Sequence, residues 1–223
     1  MKTILYTLLI AGTFAACNPA TETEAAASEA VEVATMTPEE EANNFVAINT
    51  DEALIATALM AAPEASRANC KVIGYNMAGE FVTLKEGTNE FICLADDPKK
   101  EKFSAACYHK SLDPFMARGR ALKAEGKTAK EVFDIREIEA KSGELSMGQA
   151  GSTLHILFGP NAQYNPETNE VDGAKYRYVV YMPFATAAST GLPEAPIAPN
   201  HPWIMNPGTH RAHIMISPVN GGE

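Results

Sequence analysis

The chain has 223 residues and a formal net charge of −10. That charge is gathered at one end: no Lys or Arg lies between Lys2 and Arg67, whereas 17 basic and 18 acidic residues follow from Arg67 onward. No basic stripe with interleaved aromatics marks a nucleic-acid partner, and no apolar run reaches the ~20 residues that a membrane-spanning helix needs.

The chain opens with Met1-Lys2, an apolar run from Thr3 to Ala16, and Cys17-Asn18-Pro19. A basic start, a short apolar core and small residues before a cut site form a secretory signal. Phe14-Ala15-Ala16-Cys17 resembles the lipobox of bacterial lipoproteins, with Phe14 where an aliphatic residue is usual. The resemblance covers residues 1–19. It implies cleavage before Cys17, acylation of that cysteine, and residence in the cell envelope, on the periplasmic or outer-membrane and surface side. The expected partner of this segment is the membrane, through the N-terminal lipid. Residues 17–36 are acidic and rich in Ala, Thr and Glu, with too few large apolar side chains to fold, so they read as a tether.

Residues 37–223 are of a normal size for one domain. Thr37-Pro38-Glu39-Glu40 carries the signals of a helix start. A second start at Thr50-Asp51-Glu52 leads an apolar stripe of Leu54, Ile55, Ala58, Leu59 and Ala62, ended by Pro63. Strands are predicted at 71–76, 80–85 and 90–94, separated by Met77-Ala78-Gly79 and Gly87-Thr88-Asn89, in the manner of a β-meander. Asp113-Pro114 opens a helix to about Glu125. Thr128 and Glu131 form a capping box for another, which ends near Ser142-Gly143. Further strands are predicted at 153–158, 175–182 and 210–217. Strands, then helices, then strands argue an α+β single domain with a mostly antiparallel sheet of about six strands and three to four helices.

The stretch from Phe184 to Thr209 holds five prolines and neither apolar period. Loops of this length are uncommon unless functional or disordered. One reading is an extended strap whose Trp203 and Ile204 plug the core. The other is a cleft along the strap, near the Glu86–Asn89 turn, with His201, Trp203, Asn206, His210, His213, Thr88 and Asn89 as ligand contacts.

Of the cysteines beyond Cys17, Cys93 and Cys107 flank a polar loop, and a disulfide between them is the expected pairing in an exported protein. Cys70 is then a small buried hydrophobe. Cys107 as a nucleophile beside His109 is a sharper alternative without a supporting signature. No HExxH, CxxC, EF-hand, GxSxG, P-loop or GxGxxG pattern occurs, so no catalytic residue, metal or cofactor is assigned. These features point to a lipid-anchored binding module for a small molecule or a protein. The alternative is a metal-dependent or hydrolytic envelope enzyme built on His201, His210 and His213.

Overall fold

The computed structural model describes residues 44–218. The expected signal, tether and helix start at Thr37 lie outside the described residues. Strand β1 (Val46–Ala47) is followed by helix α1 (Asp51–Met60). Thr50 caps α1, its hydroxyl oxygen accepting from the Ala53 N–H at 3.1 Å, and Asp51 and Glu52 lie in the positive first turn. Leu54 and Ala58 on α1 are fully buried. Burying a leucine contributes about 1.5–3 kcal/mol, which holds the helix flat on the sheet.

The sheet comprises β2 (Lys71–Tyr75), β3 (Phe81–Lys85), β4 (Phe91–Leu94), β5 (Ser104–His109), β6 (Thr153–Phe158), β9 (Lys175–Tyr181), β10 (Trp203–Met205) and β11 (His213–Ile216). Their spatial order is β10-β11-β9-β6-β5-β4-β2-β3. Strands β7 (Gln163–Asn165) and β8 (Glu170–Val171) join β1 in a separate three-stranded sheet. The domain is therefore mixed α and β, with eight strands in its main sheet where about six were expected. Every pairing in the main sheet is antiparallel except β2 with β4.

That parallel pair overturns the β-meander. Strand β4 lies on the far side of β2 from β3, so the 86–90 link crosses the start of β2. A Cβ on Gly87 would lie 2.1 Å from the Lys71 nitrogen, so the link passes against bare backbone, where only glycine fits. Thr88 and Asn89 fasten it, their N–H groups donating to the Asn69 carbonyl at 2.9 and 3.2 Å.

Side-chain alternation gives the sheet two faces. One face, with Cys93, Ala105, Cys107 and Leu157, packs under α1. The other, with Tyr108, Val179, Tyr181 and Met215, is covered by α2 (Asp113–Ala124) and α3 (Ala129–Ser142). The Thr128–Glu131 capping box forms as expected, and Gly143 ends α3 in the left-handed region at φ 81°. In the Pro-rich stretch, β10 pairs with β11, and α4 (Ala187–Thr190) forms a short turn of helix. Ile204 is fully buried there, as the strap reading expects. Among the described residues, no helix is long and apolar enough to cross a membrane.

Candidate functional site

Between the α2–α3 pair and the sheet lies a pocket of about 240 Å³. Its sheet wall is Leu94, Ala106, Tyr108, Leu154 and Tyr181, from four neighbouring strands. Phe115 and Met116 from α2 and Val132 from α3 complete an apolar lining. Into this lining project Arg136 of α3 and Arg211 of the turn before β11, with Arg120 and Lys123 of α2 beside them.

Arg136 occupies a position where the helical repeat places a core residue, one turn after Val132. Only 8% of its surface is exposed. Its guanidinium lies 4.1 Å from the centroid of the Phe115 ring and donates from Nη1 to the Phe115 carbonyl at 3.2 Å, while Nε has no partner. Room for it comes from Gly119, since a Cβ there would approach Arg136 Nη1 to 2.9 Å. A mid-helix glycine costs about 1 kcal/mol relative to alanine; here it opens the slot that a buried cation fills.

No carboxylate pairs directly with the charge in this slot, though Glu139 still acts on it from beyond ion-pair distance. Arg118 is taken by Glu139, and Arg120 by Asp113, whose Oδ1 also accepts from the Tyr108 hydroxyl at 2.8 Å. Glu137 accepts from Lys141 and His210. Among the described residues no carboxylate lies within ion-pair distance of Arg136, Arg211 or Lys123. Burial, and next the neighbouring Arg211 charge, pull Arg136 down to about 10, still protonated at neutral pH. Burial raises the Tyr181 phenol, so it stands in the pocket as a neutral group. A buried cation without a directly paired carboxylate costs several kcal/mol. The pocket adjoins a wider groove of about 560 Å³, sharing Leu94, Arg120 and Lys123 with it and reaching the exposed Tyr75 and Phe81 rings.

The residues expected from sequence to bind ligand do not gather into one site. Thr88 and Asn89 lie beside β2 and β4, whereas His201, Trp203 and Asn206 lie at the β10 edge, across the sheet from them. The proposed cleft between strap and turn is therefore corrected: six strands separate β3 from β10. Asn89 serves structure, its side-chain amide donating to the Ser66 carbonyl at 2.8 Å and its oxygen accepting from the Phe91 N–H. Trp203 packs against the α2–α3 side of the core. Asn206 adopts a left-handed turn at φ 51°. His210 is fully buried, its Nδ1 2.6 Å from Glu137 Oε2, and His213 Nδ1 lies 2.6 Å from the Arg211 carbonyl oxygen. Among the described residues, His201, His210 and His213 belong to no group of three ligand atoms within coordination reach of one another.

Cys93 and Cys107 face each other directly across β4 and β5, within paired strands rather than at the ends of a loop. All three cysteines of the domain are fully buried free thiols. Cys70, expected as a bystander, joins them: the three sulphurs all lie within 4.8 Å of one another.

Compared with protein-family models, curated proteins and solved structures, the chain matches none. The architecture defines a mixed α and β domain with a helical pair over one sheet face.

Proposed function

We propose that the chain is a lipid-anchored envelope protein whose domain binds a small amphipathic anion. Cys17 supplies the anchor, on the lipobox pattern of residues 14–17. The observation that carries the binding reading is Arg136, a buried guanidinium without a carboxylate partner, projecting into an apolar pocket. Guanidinium recognises carboxylate and phosphate oxygens through paired, charge-assisted hydrogen bonds. The ligand's head group is held by Arg136 and Arg211. Its apolar body lies against Leu94, Leu154, Phe115 and Met116, and a longer body extends into the groove towards Phe81.

The enzyme alternative draws no support from the geometry, since it requires nucleophile, base or metal ligands converging in one pocket. His210 and His213 are instead fixed by Glu137 and by backbone.

Calorimetric titration with octanoate, octyl phosphate and octanol tests the reading. Both anions, or one of them, bind, while the neutral alcohol binds at least tenfold more weakly. Arg136→Met removes the head-group contact and lowers anion affinity at least tenfold, in line with the 2–5 kcal/mol typical of a buried charge pair losing one member. The same substitution leaves folding stability unchanged or raised, because an apolar side chain replaces a buried charge. Equal binding of octanol and octanoate, or unaltered binding by Arg136→Met, refutes the proposal.

A further inference from the structure

We propose that Cys70, Cys93 and Cys107 form a three-sulphur site for a soft monovalent metal ion, copper(I), on the sheet face opposite the arginine pocket. Three sulphurs come from separate parts of the chain, the residue before β2 and the middles of β4 and β5. All lie within 4.8 Å of one another and all are fully buried. A disulfide joins two sulphurs and gives the third no role, whereas one metal ion engages all three.

The donor set selects the metal. Thiolates favour copper(I), zinc and iron–sulphur centres over hard cations, which take oxygen ligands. Structural zinc takes four ligands in a tetrahedron. Among the described residues no fourth His, Cys, Asp or Glu joins this group. Three sulphurs without a fourth ligand match the trigonal coordination open to copper(I).

Polar side chains stand at the Cys70 end of the cluster. Three thiolates and one copper(I) carry a net charge of −2, and each thiol proton passes to solvent as its metal–sulphur bond forms. The Asn89 amide nitrogen lies 3.6 Å from the Cys70 sulphur and donates towards it. The Lys85 ammonium donates to the Ala68 and Cys70 carbonyls at 2.9 and 3.0 Å. The crossover link 86–90, pressed onto the Cys70–Lys71 backbone at Gly87, holds Asn89 in place. Asn89 thereby acquires a purpose that a tight turn alone does not give it.

The test uses the reduced full-length protein, titrated without oxygen with copper(I) against a chromophoric chelator. X-ray absorption is then recorded on the loaded wild type. One equivalent binds, copper has three sulphur neighbours, and Cys70→Ser, Cys93→Ser and Cys107→Ser each weaken binding at least tenfold. The coordination number of the wild type decides the matter even where a serine variant fails to fold. Absence of copper(I) uptake by the reduced protein, two sulphur neighbours instead of three, or tighter uptake of zinc(II) overturns the proposal. So does a native Cys93–Cys107 disulfide whose reduction yields no copper binding.

Discussion

His210 and Glu137 show how a single buried pair shapes the response to acid. The imidazole Nδ1–H donates to Glu137 Oε2 at 2.6 Å, and the His210 backbone N–H donates to the same oxygen at 2.8 Å. Nε2 is then a buried lone pair with no partner, and a proton placed on it would find no acceptor. Burial accordingly holds His210 below its ordinary value, against the pull of Glu137. Burial acts to raise the Glu137 carboxyl, but hydrogen bonds from Lys141 and His210 outweigh it and bring it to about 2. Both signs point the same way. Unfolded chain takes up a proton on His210 below about pH 6.5 that the folded protein refuses. Glu137 stabilises the fold fully above its unfolded value near 4.5 and loses that contribution as pH falls towards 2. Urea unfolding followed from pH 7 to pH 2 shows stability declining through both windows. Glu137→Gln lowers stability at pH 7 by about 2–3 kcal/mol and flattens the lower window; an unchanged acid limb counts against this account. His210 stands out in the sequence, though as a ligand contact. Arg136 went unmarked because an arginine on a helix is read as a solvent-facing residue. Its burial depends on Gly119 and Phe115 of another helix, a pairing that no local pattern reveals.

Elements governed by local chemistry were legible before the structure. The Thr50 cap and the Thr128–Glu131 capping box depend on residues three apart, and both helices form where those signals stand. Strand β5 escaped notice because Ala105 and Ala106 are poor strand formers. Its place is set by packing, with Ala105 fully buried in the core cluster beneath α1. The crossover at Gly87 was likewise invisible, since a glycine between two strands reads as a hairpin turn unless the backbone it touches is known. In the Pro-rich stretch, β10 hides within a run of only three residues, held by β11 on one side and by the Ile204 N–H donating to the Pro193 carbonyl on the other. Trp203 is part of that strand and of the core, not of the arginine pocket. Trp203→Ala therefore lowers stability by about 2–3 kcal/mol, below the 3–5 kcal/mol of a fully buried aromatic, and leaves octanoate affinity within twofold. Calorimetric melting and titration of the same sample check both outcomes, and a lost affinity with an intact melting point contradicts the placement.

At the scale of the whole molecule, the two faces of one sheet carry two different chemistries, thiols beneath α1 and cations beneath α2 and α3. The lipid anchor proposed at Cys17 is tested separately from either. Cells fed a fatty-acid analogue label the wild-type protein, while Cys17→Ser abolishes the label and releases the protein from membranes; equal labelling of both refutes lipidation. The connection that builds the arginine pocket has one more consequence. Strands β5 and β6 are antiparallel neighbours, with Tyr108 opposite Leu154, yet the chain makes both helices of the pair between them. In topology the helices are an oversized hairpin loop, and lengthening a loop costs only about 0.6 kcal/mol per doubling. Helices can therefore be lengthened, exchanged or re-angled here without rethreading a single strand. Selection can reshape the helical wall of the pocket while inheriting the sheet unchanged, so that wall is free to diverge faster than the scaffold beneath it.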